Sequence, residues 1–467
     1  MKKFILLFLT LTITTLYGQN QWSIVGNAGL VDTFAVSPII SISPNGIPYI
    51  GFAGGQKGAA HVMKFDGSSW VDVGAPNFST GQILGMSLAF DENETPYVAY
   101  SDATNCYKIT VMKFDGSSWI VVGASGFSQG VGSFATLTFD NNGIPYVAFR
   151  DQGACVYSSW PNGFRASVMK FDGSNWVYVG APGFSTLGGS ADGASYTYIC
   201  FDNNNTPYIS YNDNASGFNA TVQKFDGTNW LYVGVPGFAA WNATTSRSLT
   251  FDNSGTPFIV CSIAGKAAVM KFDGSSWLQV GPGVSSGYSS VTSLAFDSMD
   301  SLYVAFKDNS ESKKATVMKF DGSNWNVVGT AGFTAGEVNQ LNFVIAPNND
   351  LYVAFRDCSA HDCNYPTVMK YANNTVNINS VSSVGLFNIY PNPSHEIFNI
   401  QYENNNVNRS LQLTVSTVQG KSVYSETINN FSGKINKQIN LKSLARGVYF
   451  FQLSSEKTKE FKKIIIE

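Results

Sequence analysis

The chain has 467 residues, of which 44% are apolar and 13% charged, with a formal net charge of −3. That length and apolar content exclude a disordered chain and leave room for more than one domain. Residues 19–385 carry 17 lysines and arginines against 26 aspartates and glutamates, so most of the chain lacks the basic footprint that nucleic acid requires.

Met1-Lys2-Lys3 precedes an apolar run from Phe4 to Tyr17 and then Gly18-Gln19. A charged start, an apolar stretch and a small residue read as a secretory signal over residues 1–18, cleaved beside Gly18. The run is too short for a transmembrane span, and no later stretch is apolar enough to be one. No cysteine follows it, which argues against a lipid anchor.

From Gln19 to about Ser380 the chain repeats. Lys-Phe-Asp-Gly-Ser-Ser-Trp and close variants open at Lys64, Lys113, Lys170, Lys224, Lys271 and Lys319. Seven tryptophans, Trp22, Trp70, Trp119, Trp176, Trp230, Trp277 and Trp325, recur every 47 to 57 residues. Each period holds four short segments rich in β-branched and aromatic residues, as in Met86 to Asp91, Pro96 to Tyr100, Thr110 to Phe114 and Trp119 to Gly123. Proline, glycine, asparagine and aspartate fall mostly between them, and no sustained helical period appears. Four strands in about 50 residues is the pattern of a propeller blade. The expected fold class is therefore all-β: a seven-bladed β-propeller over residues 19–380, followed by a small β-sandwich.

The ring has to close, because an open array leaves a sticky sheet edge. The last period lacks its tryptophan, whereas the mature chain opens on Trp22-Ser-Ile-Val-Gly26 with no blade before it. Residues 22–26 are expected to supply the missing outer strand, and residues 376–379 are the alternative.

The connections fall into two classes. Turns such as Asp140-Asn-Asn-Gly-Ile-Pro145, and the Phe-Asp-Gly-x-x-Trp turns, are short and uniform, with Asp opening the turn and Gly admitting positive φ. The Phe-Asp-Gly-x-x-Trp turn resembles the Asp-box of sialidase-like propellers, although it lacks the usual Ser/Thr and one residue before the glycine. That resemblance implies a fold-stabilising turn and nothing about sialidase chemistry. The opposite rim carries loops of varying length, the natural place for a binding surface. Trp160 and Trp241 are the tryptophans outside the repeat register, and Tyr157, Phe164 and Phe184 share their rim. Such rings suit stacking on sugar faces, with plugging of longer loops as the structural reading. Asp102, Asp151, Asp213, Asp308 and Asp357 end the second strands and are expected to cap loops. Arg150, Lys307 and Arg356 just before them are candidate anion contacts, or partners of nearby acids.

Six cysteines in an exported chain permit disulfides. Cys358 and Cys363 bracket Ser-Ala-His-Asp and are the candidate local bridge; Cys106 and Cys155 occupy corresponding loops and form a candidate second pair. Cys200 and Cys261 read as buried thiols. Cys358 to Cys363, with His361 and Asp362 between, is too few ligands for a zinc site, so no metal and no cofactor is expected.

From Leu386 the composition changes, with ten lysines and arginines against six acids. Tyr390-Pro391-Asn392-Pro393, the Gly420-Lys-Ser-Val-Tyr424 hairpin, Leu444-Ala-Arg-Gly447-Val-Tyr and a last strand bearing Lys462 and Lys463 make up a unit of about 80 residues, marginal for a core of its own. Residues 386–467 resemble the type A C-terminal sorting domain of the type IX secretion system of Bacteroidetes. The resemblance implies recognition by the outer-membrane translocon and a product released or held at the cell surface. The chain is expected to be a monomer.

An enzyme needs one asymmetric constellation of groups. Only His61, His361 and His395 follow the signal, and no nucleophile elbow, zinc helix or phosphate loop is present. The leading expectation is a non-enzymatic exported propeller that binds extracellular glycan or a surface partner. The alternatives are a polysaccharide lyase or hydrolase, using His61 and His361 or carboxylates such as Asp151, Asp213 or Glu337, and a structural or adhesin cargo.

Overall fold

A computed structural model describes residues 21–30, 35–55, 57–153, 163–188, 193–240, 249–359, 365–372, 385–404, 410–417, 421–429, 434–454 and 459–467. The chain divides into two compact units, Met1–Asn373 and Asn374–Glu467. All but three of their named elements are strands, the exceptions being one-turn 3₁₀ helices.

Among the described residues of the first unit, seven four-stranded antiparallel sheets follow one another and are named A to G here. Sheet A contains Ala35–Ile42, Pro48–Gly54, Ala59–Phe65 and Trp70–Asp72; sheets B, C, D and F repeat that plan. Sheet E has a shorter first strand, Leu249–Phe251. The first strand of each sheet touches that of the next, and the first strand of sheet G touches that of sheet A, so the sheets form a closed, propeller-like circuit. The circuit is sealed by Trp22–Ile24, which completes sheet G beside Tyr365–Tyr371, with Trp22 opposite Tyr371.

The second strands show why the sequence takes this form. Pro48–Gly54, Pro96–Asp102, Pro207–Asp213 and Leu302–Asp308 are buried at every position. Each is covered on both faces by neighbouring sheets, so it reads as a continuous apolar run rather than an alternation. Proline opens five of these strands, at Pro48, Pro96, Pro145, Pro207 and Pro257, a place where no ladder donor has to be supplied.

The repeated tryptophan joins one sheet to the preceding one. The indole N–H of Trp119 donates to Val73 O at 2.7 Å, that of Trp176 to Val122 O at 2.8 Å and that of Trp230 to Val179 O at 2.8 Å. Trp277, Trp325, Trp22 and Trp70 bond in the same way to Val233, Val280, Val328 and Val25. The last two bonds carry the pattern through the closure. Trp22, Trp119, Trp176, Trp230 and Trp277 also stack on a phenylalanine that follows the preceding sheet, as Trp176 does on Phe127 with centroids 4.5 Å apart and planes 10° apart. The valine is followed by glycine because that indole lies against it: a Cβ on Gly123, at φ +74°, would meet Trp176 Cδ1 at 3.2 Å.

The aspartate of each Phe-Asp-Gly-x-x-Trp turn holds the turn itself. Asp66 and Asp115 each accept two backbone N–H groups at 2.8 Å, from Ser68 and Ser69 and from Ser117 and Ser118. These bonds favour the ionised carboxyl and hold both groups down to about 2.

The first strands begin earlier than their apolar segments. Gly132–Phe139 and Ala194–Phe201 extend five and four residues ahead of Leu137 and Tyr198 because each contains a β-bulge. The bulge places a residue in the left-handed region: Ser37 at φ 56°, Gly85 at 61°, Phe134 at 52°, Tyr196 at 51° and Gln340 at 51°.

In the second unit, Gly385–Tyr390, Ile397–Asn404 and Lys434–Asn440 form one sheet. Ser422–Asn429, Ser410–Thr417, Gly447–Ser454 and Lys459–Ile466 form another in that spatial order. The two sheets share one core containing Phe398, Ile400, Leu413, Val415, Phe451 and Ile464.

Candidate binding face

The two rims of the closed circuit differ in chemistry. At the rim of the uniform turns the channel ends in a cavity of about 510 Å³, lined by first-strand ends that include Ser41, Ser87, Thr138, Tyr198, Asp297 and Pro347. Several of its polar groups are already engaged. Ser87 Oγ accepts the Leu137 N–H at 2.9 Å, and Asp297 takes the N–H groups of Met299 and Ser301 at 3.0 and 2.8 Å.

At the loop rim the bulge residues converge. Phe134 from sheet C and Tyr196 from sheet D meet with ring centroids 4.3 Å apart, tilted by 44°. Phe134 is 36% exposed and Tyr196 is half-buried. Their backbones are tied by Thr136 Oγ1 donating to Thr197 O and Thr197 Oγ1 donating to Phe134 O. The pair is therefore held by hydrogen bonds between sheets. Across the closure, Gln340 of sheet G accepts the Ser37 N–H of sheet A at 2.8 Å, and Arg356 donates to the same Gln340 oxygen at 3.4 Å.

The cations before the capping aspartates do three different things. Arg150 lies 3.6 Å above the Phe164 ring and 6.0 Å from that of Phe134. Lys307 is nearly buried and bonds Glu337 at 2.7 Å and Asn339 at 2.9 Å, holding the Glu337 carboxyl below its ordinary value. Burial lowers the pKa of Arg356 from its ordinary value. The aspartates after them cap loops: Asp102 accepts the Thr104 N–H at 3.0 Å and also the Thr110 hydroxyl, and Asp213 and Asp308 are bonded alike.

Two of the rings for which sugar stacking and loop plugging were the alternatives are packed. Phe164 is buried, its face occupied by Arg150, and Phe184 stacks on Trp230 at 4.7 Å. Phe164 supports the rim and does not present a free face. Tyr157, Trp160 and Trp241 lie outside the described residues, as do Cys155, His361, Cys363 and Gly420. Cys358 is disulfide-bonded, and its partner lies outside the described residues. Cys200 and Cys261 are free thiols; burial pushes Cys261 up to about 12 and also raises Cys200. His61 is buried beside Phe52, with Nε2 2.7 Å from Asp72 Oδ1. Among the described residues no cluster of three or more metal-ligating side chains occurs.

The sequence reading missed Phe134, Tyr196 and Gln340. Each is the third residue of its first strand, ahead of the apolar segment, and of the five left-handed bulge residues only Gly85 is the glycine that announces such a backbone.

In the second unit, Tyr390 to Pro393 precede Ser394, which pairs in parallel with Ile466 of the last strand. Gly447 opens the strand beside it, and Lys462 and Lys463 are exposed. Residues 388–467 match the family model of the secretion system C-terminal sorting domain. This segment is a type IX sorting domain, and it directs the chain to the cell surface or to secretion. No helix among the described residues is long and apolar enough to cross a membrane.

No curated protein matches the chain at a significant level. Solved structures similar to it include an ulvan lyase from a new family of polysaccharide lyases, at 13% identity and TM-score 0.49, covering 73% of this chain and 94% of its own. An α-L-arabinanase of Penicillium chrysogenum complexed with arabinobiose is 12% identical with TM-score 0.44, covering 75% and 97%. A protein of unknown function from Dyadobacter fermentans is 8% identical with TM-score 0.44, covering 75% and 97%.

Proposed function

We propose that residues 19–380 form a seven-bladed β-propeller and residues 386–467 a small β-sandwich sorting domain. On this reading the propeller binds an extracellular glycan or a surface partner through its loop rim, and the mature chain acts as a monomer. The observation that carries the proposal is the Phe134–Tyr196 pair. Two adjacent rings, 4.3 Å apart, stand at the loop rim on backbone that aromatic residues rarely adopt. A strained aromatic left partly in water stabilises the fold little, and its exposed face suits a sugar ring.

Arg150 places a cation beside the same pair, 6.0 Å from the Phe134 ring, and Gln340 is exposed at the same rim. Trp160, Trp241 and Tyr157 are the further rings to substitute. The test is binding of the mature full chain to a panel of immobilised neutral and anionic polysaccharides, with released products assayed in parallel. Binding without product supports the proposal. Turnover supports the lyase or hydrolase alternative, and absence of binding across the panel removes the glycan reading.

A further inference from the structure

We infer that the groove between sheets A and B at the turn rim is a binding site for a sugar acid, with Lys64 and Lys113 holding its carboxylate and Glu94 accepting its hydroxyls. The site lies at the rim opposite Phe134 and Tyr196 and does not depend on them.

The fourth residue of each turn between first and second strands is left-handed. Sheets A, C and E place glycine there, whereas sheets D, F and G place Asn205, Asp300 and Asn349. Those three side chains tie their turn to the preceding one: they accept the N–H groups of Asn141, Asn253 and Ser298 at 2.8, 2.9 and 2.9 Å. Glu94 of sheet B, at φ 65°, is the exception. The residue it would bond in sheet A is Pro44, which has no N–H to donate. Where sheet G presents Pro347 in the same place, the next turn carries Gly46, whose Cβ would lie 4.0 Å from Pro347 Cδ. Glycine is the unstrained residue opposite a proline, so glutamate there costs stability and gains no bond between turns.

The side chain enters a cavity of about 520 Å³ bordered by Tyr49, Lys64, Thr95, Lys113 and Ile120. Glu94 Oε1 is buried and has no hydrogen-bond partner, a costly state for a carboxylate oxygen unless a ligand brings a donor. Burial, reinforced by the Glu94 charge, raises the pKa of the Tyr49 phenol. Both lysines are half-buried and, among the described residues, form no ion pair; Lys113 Nζ stands 5.8 Å from the Tyr97 ring. Their counterparts in sheets F and G are paired, Lys319 with Asp297 at 3.9 Å and Lys370 with Asp350 at 2.6 Å. Sheet A has Ser43 and Ile47 where those two acids stand, so Lys64 has no acid of its own sheet to meet. Asp115 also borders the cavity, but its carboxylate is committed to Ser117 and Ser118.

Two unpaired cations beside one unpaired carboxylate leave an excess of positive charge. That balance suits a monoanion that also carries hydroxyl donors, and suits neither a neutral sugar nor a zwitterion. The lysines offer charge-assisted bonds to a carboxylate, and Ile120, 39% exposed, offers an apolar wall to a ring. The volume is that of a small-molecule site, and a uronate has the required groups.

The test titrates the mature full chain with sodium galacturonate by calorimetry, with galactose, acetate and free glycine as neutral, bare-anion and zwitterionic controls. Galacturonate is expected to bind about tenfold tighter than each control. Lys64→Met with Lys113→Met is expected to weaken it about tenfold. Glu94→Gly is expected to weaken it by a similar factor while the melting temperature holds or rises, whereas a purely structural Glu94 would lower that temperature when replaced. Phe134→Gly with Tyr196→Gly leaves galacturonate affinity unchanged, which separates this site from the loop rim. The inference is overturned if galacturonate does not bind, if a control binds as tightly, or if Glu94→Gly binds as the wild type does. Should the lysine pair fail to fold, Glu94→Gly decides, since it installs the residue that three other turns already carry.

Discussion

The two rims of the first unit are built from the same sheets, yet one repeats most of its side chains while the other varies the residues at its bulges. At the turn rim the side chains recur because each performs the same packing task in every sheet. Trp176 bonds Val122, Trp230 bonds Val179, and the aspartate of each turn holds its own backbone. At the loop rim the capping aspartates recur, but at the bulges of the first strands the backbone recurs and the side chain does not. The left-handed bulge carries Ser37, Gly85, Phe134, Tyr196 and Gln340 in turn. A conformation kept while its residue varies is scaffold, and the residue placed on it is open to a separate use.

The largest effect expected from this contrast is at the repeated indole. Trp176→Ala removes a buried ring stacked on Phe127 and its bond to Val122, and should cost about 3–5 kcal/mol in denaturant unfolding. A loss under about 1 kcal/mol would break the assignment of this rim to packing. Gly123→Ala should follow at about 1–3 kcal/mol, since its Cβ meets Phe171 at 3.0 Å on backbone with φ +74°.

Phe134→Gly and Tyr196→Gly should do the opposite at the other rim. Glycine accepts positive φ without cost, so melting temperatures hold or rise while affinity for a bound polysaccharide falls, about tenfold for the pair. The smallest effect is in pH. The turn aspartates have folded pKa values below their unfolded ones, so the stability they contribute is complete above about pH 4. It is lost as pH falls through about 2, the value for Asp66 and Asp115. Asp66→Asn should flatten that part of an acid titration followed by fluorescence.

How much of this was legible in the sequence follows the same division. Trp22 could be read as the closing strand because its Ser-Ile-Val-Gly continuation copies the outer strands, and it does pair with Tyr371. Asp102 could be read as a loop cap because a carboxylate after a buried strand has a local backbone to bond. The rim aromatics were another matter. For Phe164 the sequence left sugar stacking and loop plugging open, because burial beneath Arg150 depends on a stacking contact that no spacing announces. Phe134 and Tyr196 were hidden because a bulge at a non-glycine residue leaves no local signature. In the second unit the Tyr-Pro-Asn-Pro motif was plain, while the bond from Asn392 to Lys463 depends on tertiary pairing.

The most direct test compares polysaccharide binding and thermal unfolding of the mature full chain with those of the Phe134→Gly, Tyr196→Gly double variant. The account predicts that the wild type retains at least one polysaccharide of the panel, and that the double variant loses most of that affinity at an unchanged or higher melting temperature. Equal binding by the two proteins, or a melting temperature that drops with the affinity, would contradict it.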